Sequence, residues 1–151
     1  MQSYQFYGED EHTLDAKGRL AIPSRHRATL GTTVYIGRGM SGQVNLYPQP
    51  IFENMIQRIA PTGDDATGTG RAGRLIYSAN PCDLDQQGRV VIPPSLRRYA
   101  ALDGTVTVLG HRNHIEIWNP DRWQRACEEV VALHRESPDD YRAIARLVGE
   151  I

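Results

Sequence analysis

A chain of 151 residues is long enough for one full-sized domain, or for two small ones sharing a core. With 40% hydrophobic and 23% charged residues and a formal net charge of −1, it has an ordinary globular composition and is no polycation. It has no apolar run of membrane-spanning length, no signal-peptide character at Met1–Tyr4, and only two well-separated cysteines, Cys82 and Cys127; a reduced, cytoplasmic protein is expected.

Taken in order, Tyr4–Tyr7 reads as a short strand stopped by Gly8, with Glu9, Asp10 and Glu11 in a solvated turn. Leu20–Ile22 is a short buried strand closed by Pro23, followed by a helical turn at Ser24–Arg27. Val34–Arg38 and Gln43–Tyr47 form a hairpin around a Gly-rich tip. Gln49–Ala60 is an amphipathic helix, with Ile51, Phe52, Met55, Ile56 and Ile59 on one face. Pro61–Gly73 reads as a linker. Asn119-Pro120-Asp121 starts a second long helix with Trp123, Cys127, Val130, Val131 and His134 on its inner side. Ser137-Pro138-Asp139-Asp140 starts a last one carrying Tyr141, Ile144, Leu147 and Val148, a terminal apolar stripe that needs cover.

The halves of the chain repeat each other. Leu14-Asp15-Ala16-Lys17-Gly18-Arg19 followed by Leu20-Ala21-Ile22-Pro23 returns as Leu84-Asp85-Gln86-Gln87-Gly88-Arg89 followed by Val90-Val91-Ile92-Pro93, 70 positions later. A duplicated unit dictates architecture. Asp, two polar residues and Gly make a tight turn, with the carboxylate bonding the backbone ahead and Gly accepting positive φ. Structure alone does not require the Arg; in each copy it either pairs with the Asp or faces an anion. Paired in that way, Asp15 and Asp85 are held ionised rather than poised for acid–base work. The repeat extends to the hairpins, since Val44–Pro48 returns as Ile115–Pro120. Expected boundaries are a first repeat over 1–60, a linker over 61–80, a second repeat over 81–134 and a C-terminal helix over 135–151.

Charge is unevenly spread. No acid falls between Asp15 and Glu53, where Lys17, Arg19, Arg25, Arg27 and Arg38 lie with His26; none falls between Asp85 and Asp103, where Arg89, Arg97 and Arg98 lie. Beyond Tyr99, nine acids face six arginines. Bases gathered around the repeated motif suit a local anion-binding surface. Enzymatic readings are weak. Gly68-Thr69-Gly70-Arg71-Ala72-Gly73 spells a dinucleotide-binding loop, but no strand precedes it. The histidines show no metal-binding spacing, and His111 and His114 read as surface residues beside a hairpin loop. No catalytic residue, metal or cofactor is expected.

Phe6-x-Gly8, Glu11–Pro23 and the second Asp85-x-x-Gly88-Arg89 with Ile92-Pro93 resemble the MraZ family of bacterial transcriptional regulators, built of two SpoVT/AbrB-like repeats each marked by D-x-x-x-R. The resemblance implies a mainly β, α+β fold: two tandem swapped-hairpin repeats forming a β-barrel-like core, each followed by a helix, assembled into a ring-shaped homo-oligomer. It implies binding to double-stranded DNA at promoter repeats upstream of the division and cell-wall gene cluster, the family's own operon included, usually as a repressor, and hence a nucleoid-associated location. Asp15, Arg19, Asp85 and Arg89 occupy the family's motif positions. From the charge pattern, Lys17, Arg19, Arg25 and Arg27 are expected to contact DNA, with Asp15, Gly18, Asp85 and Gly88 structural and Arg89 structural or at an interface. An antitoxin-type protein-binding module is the rival reading, which the capped terminal helix disfavours; a nucleotide-binding enzyme is a remote one.

Overall fold

The computed structural model describes residues 4–59, 69–136 and 138–149. The chain divides into two compact units, Met1–Asn119 and Pro120–Ile151.

The first unit is α+β and mainly antiparallel β. Its strands are β1 (Glu9–Thr13), β2 (Arg19–Ala21), β3 (Thr33–Arg38), β4 (Val44–Pro48), β5 (Asn80–Asp83), β6 (Arg89–Val91), β7 (Thr105–His111) and β8 (His114–Trp118). Its helices are α1 (Ser24–Leu30), α2 (Gln49–Ile59), α3 (Thr69–Tyr77) and α4 (Pro94–Ala100). Six strands form one sheet in the order β1-β7-β8-β4-β3-β5, and β2 and β6 pair as a separate ribbon. The ladder is not closed into a barrel, since β1 and β5 are its free edges.

The pairing explains what the duplication builds. The leading strand of each half joins the hairpin of the other: β1 lies on β7, and β5 on β3. The hairpins β3–β4 and β7–β8 meet through β4 and β8, with Asn45 opposite Glu116 and Val44/Leu46 opposite Ile117/Ile115. The ribbon has the same symmetry, with Leu20 opposite Val90 at its centre. Neither half could bury its apolar face alone. Together they enclose one core that includes Leu20, Ile22, Val34, Ile36, Val44, Leu46, Val90, Ile92, Val106, Val108, Ile115 and Ile117. A side chain of this size contributes about 1.5–3 kcal/mol when fully buried, so the shared core outweighs any local preference.

Two expectations need correction. Glu9, Asp10 and Glu11 lie in β1 rather than in a turn, and in the preceding segment Phe6 forms a β-bridge to Arg112. Acids are poor strand formers, but an edge strand has one neighbour and charge on it blocks further pairing. The stretch expected to link the repeats runs into α3 from Thr69, and residues 60–68 lie outside the described residues. His26, counted with the bases, is buried edge-to-face against Phe6, and burial lowers its pKa, as does the neighbouring Arg25.

The two faces of the large sheet differ. The inner face carries the aliphatic core, while the outer face carries Gln43, Asn45, Tyr47, His114, Glu116 and Trp118. α2 covers part of it, with Phe52 stacked 4.0 Å from the Tyr35 ring. Burial alone would raise the pKa of Glu116, but hydrogen bonds from His114 and Trp118 hold it below the ordinary carboxylate value.

The second unit is the helix pair α5 (Pro120–Glu136) and α6 (Pro138–Val148), which pack on each other and bury Ala145. Both expected helices are present; Ser137 lies outside the described residues, as do the side chains of Pro138, Asp140 and Tyr141. The expected inner side of α5 is not enclosed: Val130 and Val131 are exposed, and Trp123, Cys127 and His134 are half-buried. On α6, Ile144, Leu147 and Val148 are exposed too. Helical periodicity identifies the apolar stripe, not what covers it. Among the described residues no helix is long and apolar enough to cross a membrane.

Candidate nucleic-acid interface

Each motif copy folds into the same clip. Oδ1 of Asp15 accepts hydrogen bonds from the backbone N–H groups of Lys17 and Arg19, both at 2.9 Å, and Oδ2 accepts from Arg19 Nε at 2.5 Å. Oδ1 of Asp85 accepts from Gln87 at 2.9 Å and Arg89 at 2.8 Å, and Oδ2 from Arg89 Nε at 2.8 Å. Gly18 and Gly88 take φ of 77° and 73° and return their N–H groups to the carbonyls of Asp15 and Asp85. The backbone and side-chain donors of Arg19 and Lys17, partly opposed by desolvation, hold the Asp15 carboxyl down at about 2, and the equivalent donors depress Asp85. Both acids are therefore charged at neutral pH and consumed internally, so neither serves as a general acid or base.

The clips sit at opposite ends of the β2–β6 ribbon and are locked to one another. Ile22 N–H donates to the Gly88 carbonyl at 3.0 Å, and Ile92 N–H to the Gly18 carbonyl at 2.9 Å. The helix of each half also reaches across: Arg97 of α4 packs over Gly18, and Arg27 of α1 packs over Gly88. In both cases a Cβ on the glycine would collide with the guanidinium. Within the ribbon, Arg19, Ala21, Arg89 and Val91 occupy one face, opposite the buried Leu20 and Val90. Val91 is half exposed and both arginines reach solvent.

Of the residues expected to contact DNA, Lys17 is exposed at the tip of the first clip. Arg19 spends Nε on Asp15, and its terminal nitrogens make no hydrogen bond among the described residues. Arg27 is exposed and anchors Nε on the Ile22 carbonyl at 2.8 Å. Arg25 is paired instead with Asp10 on β1, which offsets its charge. Arg89, read as structural, holds the same position in its clip as Arg19. Arg97 stands outside that expected set. Its signal is the 70-residue offset, which aligns it with Arg27. Arg38 lies over the Tyr99 ring, 5.4 Å from its centroid.

The sequence profile of the family described as "MraZ protein, putative antitoxin-like" matches residues 5–71 and again 75–146. The chain belongs to the MraZ family. The two matches to the MraZ profile coincide with the duplication. Among curated relatives, the transcriptional regulator MraZ of Moorella thermoacetica is 38% identical over 141 residues, spanning 93% of this chain and 94% of that protein. Those of Herpetosiphon aurantiacus and Ligilactobacillus salivarius are 41% and 42% identical over 120 and 129 residues, covering 79% and 83% of this chain and 84% and 88% of theirs.

Proposed function

We propose that the protein is a DNA-binding transcriptional regulator that represses its own operon, with the division and cell-wall genes, from repeated sites upstream. The observation that carries this reading is the β2–β6 ribbon, a two-stranded antiparallel element with Arg19 and Arg89 on its solvent face and Lys17, Arg27 and Arg97 around its ends. A ribbon of this kind fits the major groove, where arginine reads guanine by paired hydrogen bonds. Each clip carboxylate is paired with its own arginine through Nε, so each clip is close to neutral and the surplus positive charge comes from Lys17, Arg27 and Arg97. Lys17, Arg19 and Arg27 make the main contacts; Arg25 contributes less, being tied to Asp10. The regulator names of the relatives support the same reading.

The protein acts as a ring-shaped homo-oligomer. The exposed apolar side chains of α5 and α6 supply the association surface, and a ring multiplies one modest basic patch into many. Light scattering of the purified protein measures its subunit number. Fluorescence anisotropy across a salt series, using DNA from upstream of the gene beside a shuffled duplex, tests the binding. Steep, salt-dependent preference for the native duplex that collapses in Arg19→Ala is expected. Equal, weak binding to both duplexes would remove the proposal.

A further inference from the structure

The tip of the β7–β8 hairpin carries a cluster that lies outside the β2–β6 ribbon. His111 and His114 are the last facing pair of the ladder, closed by Arg112 and Asn113, and their rings stack 4.8 Å apart. Glu116 follows His114 by two residues on β8 and so shares its face. One ligand atom from each of these three residues lies within 4.8 Å of the other two. Their spacing in sequence matches no metal motif; the strand period and the ladder bring them together.

We propose that His111, His114 and Glu116 bind a divalent transition-metal ion of zinc-like character. Two imidazoles and one carboxylate suit such an ion, whereas Mg²⁺ and Ca²⁺ prefer all-oxygen sets. Three protein ligands leave a fourth position for water or for a donor from another molecule. The supporting shell is in place. Glu116 Oε1 accepts from Trp118 Nε1 at 3.0 Å and Oε2 from Gln43 Nε2 at 3.2 Å, which fixes the carboxylate. His114 Nδ1 lies 2.9 Å from Asn113 Oδ1, the outer partner that orients a metal-binding imidazole.

His114 Nε2 then faces Glu116 Oε2 at 3.0 Å. Both of its ring nitrogens meet acceptor oxygens, so a neutral ring with a single N–H leaves a lone pair against one of them. An N–H on both nitrogens, or a cation shared by Nε2 and Oε2, removes that conflict. With bonds of about 2.0–2.1 Å, neighbouring ligand atoms of a tetrahedral ion stand about 3.4 Å apart. That requires a small opening of the His114–Glu116 pair and an inward swing of His111, whose ring is exposed and free to make it. The ion would clamp the hairpin end where Phe6 bridges Arg112.

The test is a calorimetric titration of the untagged, full-length protein with Zn²⁺, beside Mg²⁺, for the native chain and for His111→Ala and His114→Gln. Native protein binds a single Zn²⁺ per chain, ignores Mg²⁺, and melts at a higher temperature with Zn²⁺ present. His111→Ala removes an exposed side chain; it melts like native protein without metal but binds Zn²⁺ at least about tenfold more weakly. No Zn²⁺ binding by native protein, or equal affinity in His111→Ala, would overturn the proposal and leave a plain His–Glu ion pair.

Discussion

The two copies of the Asp-x-x-Gly-Arg turn are alike inside and different outside. Each closes the same carboxylate on two backbone donors and an Arg Nε, and each is crossed by an arginine from the opposite half. Their surroundings diverge: Lys17 in the first loop is replaced by Gln87 in the second, and Arg25 is replaced by Ser95. The shared part is therefore architecture, and whatever the copies do differently lies in side chains that the clip does not hold.

The strongest way to break this comparison is through the core beneath the ribbon. Ile22 and Ile92 are both fully buried and mirror each other across the pseudo-symmetry. Ile22→Ala and Ile92→Ala should each destabilise by about 2–5 kcal/mol, and by similar amounts, in urea denaturation. A large inequality would mean that one half dominates the fold. The clip glycines come next. Alanine at either requires strained positive φ and displaces an arginine, costing about 1–3 kcal/mol. The two losses should be similar. A Cβ at Gly18 presses on the Ile92 carbonyl at 3.0 Å as well as on Arg97, and one at Gly88 meets the Arg27 Nε that the Ile22 carbonyl anchors.

DNA binding sharpens the comparison from outside. Arg19→Ala should weaken binding to the native duplex by about 1–3 kcal/mol, and Arg89→Ala by less. Lys17→Gln, which gives the first loop the residue of the second, should lower the salt slope by about 0.9 for each phosphate it ceases to neutralise. Equal losses in Arg19→Ala and Arg89→Ala would show that both clips read DNA alike and that their neighbours do not decide.

The sequence disclosed this fold unevenly, for physical reasons. The turn chemistry of Asp15–Gly18 and the stripe of α2 were legible because local backbone demands and helical periodicity are written in adjacent residues. β1 was not, since its Glu-Asp-Glu run is dictated by being a sheet edge, a property of the partner β7. The His111–His114–Glu116 cluster was hidden likewise, because contacts across paired strands leave no spacing to read, whereas Arg97 over Gly18 was signalled by the 70-residue offset that aligns it with Arg27. The basic window overstated the free charge, as Arg25 meets Asp10 and His26 is buried.

The smallest effect concerns the clip carboxylates themselves. Asp15 titrates at about 2 in the folded chain, against an ordinary aspartate value of about 3.9. A depressed carboxyl stabilises the fold when ionised, so its contribution is complete above about pH 4, fades as pH falls toward 2, and is absent below both values. Asp85 shifts in the same direction for the same cause. Melting temperature should therefore drop as pH is lowered through that window, and Asp15→Asn should make the drop shallower. Asparagine keeps an oxygen for the two backbone donors but puts an amide where Arg19 Nε needs an acceptor. Because both carboxylates are solvent-exposed, the change should be modest and should shrink in high salt. If Asp85→Asn produced a clearly different profile from Asp15→Asn, the equivalence of the two clips would fail at its most local level.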